Sequence, residues 1–153
     1  DVMKRDLPEA AARPGVYREV MFASATDLPF DDASFGTVVS NCVIEHIPDD
    51  AKAFSEIFRI LRPGGRALLL VPFALDGQGT DEDPSLADPA EKDRRFGQWD
   101  HVRLYDRGDF GARMARAGFD VTLYDPAGGD AAKAAATGLN PLEALPVGVK
   151  PAA

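Results

Sequence analysis

The stretch of residues 23–73 restricts the fold more than any other part of the sequence. It contains a strand-length apolar run at 35–40, a polar loop, a helical pattern at 50–61 and a second apolar run at 66–71. Apolar residues within the helical pattern recur three and four positions apart, as on one buried helix face. A strand, a helix and a strand joined by tight turns predict a βαβ unit, and therefore an α/β fold built on a parallel sheet.

Short motifs stand in a fixed order within this stretch. They are Leu28-Pro29-Phe30, Asp32, Ser34-Phe35, Glu45-His46 and Leu61-Arg62-Pro63-Gly64-Gly65. In this combination the stretch resembles the class I S-adenosylmethionine-dependent methyltransferases that act on small molecules and lipids. The resemblance implies a Rossmann-like methyltransferase sheet that is mostly parallel with an antiparallel last strand. With the strands numbered along the family's chain, their order across the sheet would be 3-2-1-4-5-7-6.

One part of the family pattern has no counterpart in this sequence. The family's glycine-rich cofactor loop follows its first strand, and the one Gly-x-Gly, at 77–79, follows the wrong strand. We therefore expect residues 1–153 to be the C-terminal part of a single methyltransferase domain, truncated at the N-terminus. Such a chain would lack the first strand and most of the second. Within it, the polar and turn-rich residues 74–102 are expected to form a lid-like insertion.

Outside the central stretch, local patterns predict the remaining elements. A strand is expected at 17–23 and a helix at 106–117, with Asp106 at the N-terminal cap and Gly118 just after the end. Alternation predicts a strand at 119–124. A brief helix and a last strand follow, at 131–137 and 145–150.

Composition excludes several classes of protein. The net charge is −8, from 25 acidic and 17 basic residues, which argues against a nucleic-acid-binding surface and against docking on anionic membranes. The longest apolar run is far shorter than the roughly 20 residues that span a bilayer, so no membrane insertion is expected. A single cysteine excludes an internal disulfide framework and fits a reducing, cytoplasmic compartment. With only two histidines and that cysteine, counting predicts no zinc cluster and no metal.

The cofactor that the resemblance implies is S-adenosylmethionine, and four residues are candidates to bind it. Asp1 stands where the family has an acid that accepts hydrogen bonds from the ribose hydroxyls, although it could equally be a frayed terminal residue. Ser24 and Ala25 stand where the family contacts the adenine. Asn41 lies in the loop after the strand at 35–40, and the resemblance places it beside the methionine part of the cofactor.

His46 and His101 are the candidate catalytic residues, because they are the two side chains that titrate near neutral pH. The alternative for His46 is that it caps the following helix or packs against Pro48. Cys42 near a reactive methyl group could be a nucleophile, but no neighbour in the sequence would lower its pKa, so a small buried residue is the interpretation we favour.

Three residues that precede the helix at 106–117 are substrate-side candidates. Trp99, Arg103 and Tyr105 bring a stacking surface, a cation and a hydroxyl group, and Arg103 could pair with an acidic group on the acceptor. The alternative is a tertiary clamp that holds the insertion to the body of the domain.

Methyl transfer from S-adenosylmethionine to a small-molecule or lipid-like acceptor is therefore the predicted function of the intact parent protein, of which this chain would be a fragment without the glycine-rich cofactor loop. A degenerate, non-catalytic binding or scaffold module is the main alternative, supported by the missing glycine-rich loop. A nicotinamide-dependent oxidoreductase fits poorly, since no Gly-x-Gly-x-x-Gly loop occurs. The acceptor, the methylated atom and the oligomeric state are not specified by the sequence.

Overall fold

The computed structural model describes residues 21–74, 77–125, 128, 130–137 and 145–152. Most of the strand predicted at 17–23 lies outside these ranges, and its described end at 21–23 has no regular structure. The predicted βαβ unit is present. Strand β1 spans Phe35–Asn41, helix α1 spans Asp50–Ile60, and strand β2 spans Leu61–Leu70 and pairs with β1 in parallel.

Two further strands join β1 and β2 in the four-stranded sheet that the described residues form. Strand β5 spans Asp120–Tyr124 and strand β6 spans Leu145–Val149, and the order across the sheet is β1, β2, β6, β5. Strand β6 is antiparallel to both of its neighbours. The order matches strands 4-5-7-6 of the family sheet, in which strand 7 is the antiparallel one. The predicted Rossmann-like methyltransferase fold is therefore confirmed.

A two-stranded antiparallel sheet lies apart from the main one. It joins β3, Asp81–Glu82, to β4, Arg103–Leu104. Among the described residues, the remaining helices are α2 at Pro89–Phe96, α3 at Arg107–Arg116 and α4 at Ala131–Thr137, and one turn of 3-10 helix spans Ile44–His46. Within the described ranges, no helix combines the length and the apolar character needed to cross a membrane.

Helix α2 was not predicted, although its end signals are present in the sequence. The Asp88 side chain accepts a hydrogen bond from the Ala90 amide at 3.0 Å, and Pro89 occupies the first turn, where it needs no hydrogen-bond partner. Gly97 ends the helix in the left-handed conformation, with φ at 81°. The helix was missed because its single buried residue, Phe96, gives almost no apolar periodicity.

The Pro63-Gly64-Gly65 turn lies inside β2, which begins five residues earlier than predicted. Leu61 pairs with Phe35 and Arg66 pairs with Thr37, so the residues between them bulge out of the ladder. Gly64 has φ at +76° and donates its amide proton to the Lys150 carbonyl at 2.8 Å. The bulge therefore ties the start of β2 to the end of β6.

Helix α1 also organises the Leu-Pro-Phe loop that precedes β1. The Leu28 amide donates to Glu56 Oε2 at 3.0 Å. Arg59 donates to the carbonyl oxygens of Leu28 at 2.9 Å and Phe30 at 2.7 Å, and it also pairs with Glu56. The hydrogen bonds from Arg59, more than any other contact, lower the pKa of Glu56 to about 2. This loop is therefore held by two charged helix residues instead of by regular structure.

We expect Glu56→Gln to lower the free energy of unfolding by about 2 kcal/mol at neutral pH. The pKa of Glu56 is lower in the folded state than its ordinary value of 4.5. The ionised side chain therefore stabilises the fold fully at pH values above 4.5, and this stabilisation is lost as the pH falls from 4.5 towards 2. Denaturant melts between pH 2 and pH 7 should show a shallower acid decline for the variant. Glu91→Gln breaks only an exposed pair with Arg94 and is the control. An equal loss of unfolding free energy between pH 7 and pH 2 in the variant and the unchanged protein would contradict this assignment.

The core lies between the sheet and helices α1 and α3, and β6 approaches α3 closely at Gly148. A Cβ atom added to Gly148 would lie 2.7 Å from Met114 Cε and 2.9 Å from Phe119 Cδ1. We therefore expect Gly148→Ala to cost about 1–3 kcal/mol by overpacking. Gly36→Ala, also in a strand, is the matched control, since no atom lies within 4 Å of its added Cβ. Thermal unfolding of both variants checks this, and similar melting temperatures would rule out the close packing.

Candidate functional site

The loops that follow β1 and β2 lie at the same edge of the sheet, because the two strands are parallel. Asn41 ends β1 and is exposed, and Cys42 follows it with φ at +52°. The Cys42 amide donates to the Leu70 carbonyl at 2.9 Å, which holds the two strand ends together. In open α/β sheets, ligands bind at this carboxyl edge.

Cys42 is exposed, so the prediction of a small buried residue is wrong. Its backbone is in the left-handed conformation directly after β1, where the chain leaves the sheet. Desolvation raises the pKa of the Cys42 thiol, and the adjacent Glu45 carboxylate adds to this effect. A thiol with a raised pKa is a poor nucleophile near neutral pH, which agrees with the sequence-based argument against nucleophilic catalysis.

Glu45 lies in the 3-10 turn and is fully buried. Burial raises the pKa of its carboxyl group, while the positive charge available at His101 acts in the opposite direction. Neither carboxylate oxygen has a hydrogen-bond partner in the described part of the chain. The sequence analysis assigned Glu45 no chemical role. One feature of the sequence could have indicated that Glu45 is buried. This acidic residue directly follows the apolar pair Val43 and Ile44, just after a predicted strand.

The structure brings His46 and His101 together beside Glu45, although they are far apart in the sequence. The two rings meet edge to face, with centroids 4.6 Å apart. His101 Nδ1 lies 3.0 Å from the Phe96 carbonyl oxygen, and His46 Nδ1 lies 3.4 Å from Asp100 Oδ2. His101 is buried, whereas 28% of the His46 side chain is exposed. The candidate catalytic residues therefore form one cluster at the carboxyl edge.

The candidate cofactor residues have different surroundings. Ser24 is exposed, and its hydroxyl lies 2.8 Å from the Thr26 hydroxyl. Ala25 is half-buried and packs against the core. Asn41 is exposed at the end of β1, and its Oδ1 accepts a weak bond from the Cys42 thiol at 3.7 Å. Asp1 lies outside the described residues.

Of the substrate-side candidates, Arg103 is buried and bound entirely by protein groups. Its guanidinium donates to the carbonyl oxygens of Ile47 and, at 2.8 Å, Pro48, and to Glu82 Oε2 at 3.0 Å. Glu82 belongs to the segment 74–102 that the sequence analysis predicts to be an insertion, and the two carbonyl groups belong to the loop before α1. These are the contacts of the clamp alternative, and they leave Arg103 only 1% exposed.

Tyr105 belongs to the same buried network. Its hydroxyl donates to Asp50 Oδ2 at 2.7 Å, and Arg113 donates to the same oxygen at 2.9 Å. Burial and the bond to Asp50 raise the pKa of Tyr105 well above its ordinary value. Arg113 also donates to both oxygens of Glu82, and this lowers the pKa of that carboxyl group. The hydroxyl of Tyr105 is therefore a structural donor.

Trp99 has the surroundings of a residue that can contact a ligand. Its side chain is 59% exposed, and it precedes Asp100, which faces His46. Of the three substrate-side candidates, Trp99 alone presents an open surface near the histidine cluster.

A mostly parallel sheet with an antiparallel last strand, and a polar cluster at its carboxyl edge, define a Rossmann-like α/β architecture. Residues 1–69 match the family model described as a methyltransferase domain. Together with the motif order, this confirms the recognition made from the sequence: the chain has the signature and the fold of the class I S-adenosylmethionine-dependent methyltransferases.

Individual relatives agree with that assignment. The ubiquinone/menaquinone biosynthesis C-methyltransferase UbiE of Brucella anthropi is 44% identical over 64 residues, which cover 40% of this chain. The match spans about a quarter of that protein, 24% of its length. The YcgJ protein of Bacillus subtilis has a similar fold, with a TM-score of 0.60, 21% identity, and coverage of 95% of this chain and 77% of its own.

A second solved structure has a bound ligand. A didemethyltoxoflavin methyltransferase of Burkholderia thailandensis, solved with its didemethyltoxoflavin and S-adenosylhomocysteine, has a TM-score of 0.59 and 18% identity. The alignment covers 96% of this chain and 57% of that protein. At this level of identity, the likeness supports the fold.

Replacing Arg103 tests the clamp. Arg103→Leu would leave two loop carbonyl groups without their donor and remove a partner from buried charges, so we expect a loss of about 3–5 kcal/mol in the free energy of unfolding. Arg94→Leu is the matched control, because Arg94 is exposed and makes only a surface pair, so little or no loss of stability is expected. Urea melts provide the comparison. A loss at Arg103 no larger than the loss at Arg94 would be inconsistent with a clamp.

Proposed function

We propose that this chain serves methyl transfer from S-adenosylmethionine to a small-molecule acceptor. The main support is the polar loop after β1, where Asn41 and the histidine cluster lie at the carboxyl edge of a methyltransferase sheet. The matches to methyltransferases supply the reaction class, and the placement of this loop supplies a site for it.

The proposed cofactor residues are those that the family resemblance marks. Asn41 would bind the methionine part, Ser24 and Ala25 would contact the adenine, and Asp1 would accept hydrogen bonds from the ribose. Asn41 and Ser24 are both exposed in the described structure, so their polar groups are accessible to a ligand. The bound cofactor would supply a methyl group on a sulfonium centre, and the neutral thioether is a good leaving group when this methyl group is transferred.

The chain's own contribution would be positioning and proton removal. Binding holds the acceptor in line with the methyl group and excludes water from the site. His46 is the imidazole of the pair that reaches the surface, so it is the better placed of the two to accept a proton from the acceptor. In this proposal His101 orients its partner from within the protein.

An aromatic acceptor is the class that we infer. The matched relatives include an enzyme named for ubiquinone and menaquinone biosynthesis and one solved with a didemethyltoxoflavin. Trp99 offers an exposed aromatic surface next to Asp100, and such a surface suits stacking on a planar ring. Arg103 and Tyr105 are buried and fully engaged, so recognition by Trp99 is favoured over an ionic contact with Arg103.

Calorimetric titration with S-adenosylhomocysteine tests the cofactor site. We expect binding by the unchanged protein and at least tenfold weaker binding by Asn41→Leu, about 1.4 kcal/mol, because a polar contact to the ligand is lost. Thr122→Val is the matched control, since Thr122 is an exposed polar strand residue on β5, at the opposite edge of the sheet.

Two outcomes would redirect the proposal. Absence of binding by the folded, unchanged chain would favour the non-catalytic scaffold alternative. Binding that is equally strong in the Asn41 variant and in the control would move the cofactor away from the loop after β1.

A further inference from the structure

Three potential metal ligands meet just behind the loop that follows β1. One ligand atom from each of Glu45, His46 and His101 lies within 4.8 Å of the others. The contacts converge on a single oxygen, because Glu45 Oε1 lies 4.0 Å from His46 Nε2 and 3.9 Å from His101 Nε2. The histidines therefore point the same ring nitrogen at the same carboxylate oxygen.

No hydrogen bond of good geometry satisfies the Glu45 carboxylate in the described part of the chain, although the Cys42 thiol lies close enough to lower the pKa of this carboxyl group. The residue is 0% exposed, and neither side-chain oxygen has a hydrogen-bond partner there. An ionised carboxylate that is buried without partners costs several kcal/mol, so such groups are paired, bind metal ions or take up a proton, and the raised pKa of Glu45 reflects this cost. The two histidine contacts are longer than hydrogen bonds, and a cation between the three groups would satisfy the carboxylate directly.

Each imidazole is already oriented as a metal ligand by its second nitrogen. The Phe96 carbonyl can only accept, so the proton of neutral His101 lies on Nδ1 and the lone pair lies on Nε2. Asp100 Oδ2 faces Nδ1 of His46 at 3.4 Å, which is an ion-pair distance and a looser contact than the hydrogen bond of His101. A histidine that donates one ring N–H to a carbonyl or carboxylate, with the other nitrogen free, is the usual arrangement around bound metal ions.

We propose that Glu45, His46 and His101 form a binding site for a divalent transition-metal ion, with Zn²⁺ as the best match. Two imidazole nitrogens and one carboxylate oxygen form a known three-ligand zinc set that leaves one position for an oxygen ligand. Zinc ligands at about 2.0–2.1 Å in tetrahedral geometry lie roughly 3.3 Å apart. The two distances from Glu45 to the histidines would each contract by about 0.6–0.7 Å, and the widest separation in the cluster, at most 4.8 Å, would contract by up to about 1.5 Å.

His46 provides both the movement and the access that binding requires. Its side chain is 28% exposed, whereas 1% of the Glu45 side chain and 7% of the His101 side chain are exposed. An ion would therefore enter past His46. This proposal does not depend on methyl transfer. It does compete with a proton-accepting role for His46, because the ion would occupy Nε2.

Imidazole nitrogen NMR during titration with Zn²⁺ is the decisive measurement, since the chain contains only two histidines. The titration starts from protein treated with a chelator. One equivalent of Zn²⁺ should shift the Nε2 signals of both histidines, and both Nδ1 atoms should stay protonated. No shift, or a shift of one histidine alone, would overturn the proposal. This arm uses the unchanged chain, so it does not depend on any variant folding.

Variants identify the ligands by calorimetry with Zn²⁺. Glu45→Gln and His101→Ala should each weaken binding at least tenfold, and Asp100→Asn should weaken it about tenfold through His46. Asp120→Asn, an exposed acid on β5, and Cys42→Ser, which removes the exposed thiol, should each leave the affinity unchanged. Affinity that depends on Cys42, or that is equal in the Glu45 and Asp120 variants, would assign the ion to another place.

Discussion

The arrangement of the site depends on one buried cation. The Arg103 guanidinium bonds to the carbonyl oxygens of Ile47 and Pro48 and to Glu82, so it joins the loop before α1 to the insertion. A buried guanidinium is stable only when its donors are satisfied, and these acceptors come from segments distant in sequence. Each segment is therefore held in place by the others.

The same clamp determines where the histidine cluster forms. His101 precedes Arg103 by two residues, and Val102 between them donates its amide proton to the Glu45 carbonyl at 3.1 Å. Fixing Arg103 against the loop therefore places His101 beside His46. The Phe96 carbonyl at the end of α2 then orients the His101 ring. A structural interaction thus assembles groups that could bind a ligand or a metal ion.

Much of the fold could be predicted because it depends on local patterns. Helices α1 and α3 were predicted within about one residue from their apolar periodicity and their aspartate caps, and the antiparallel β6 was predicted from the family order. Helix α2 was missed because it buries a single residue. The exposed position of Cys42 was also mispredicted, since a left-handed turn at a non-glycine residue has no sequence signal.

By itself, the sequence determined the family, the strand–helix–strand unit and the loop that carries Asn41 and His46, because these follow from nearest-neighbour patterns and motif order. Only the tertiary structure decided which distant groups meet. It placed His101 against Glu45 and His46, and it buried Arg103 and Tyr105 in a clamp, where the sequence had left open a substrate wall or a clamp. The physical reason is that burial and pairing of charges are settled by packing between segments, which no local pattern records.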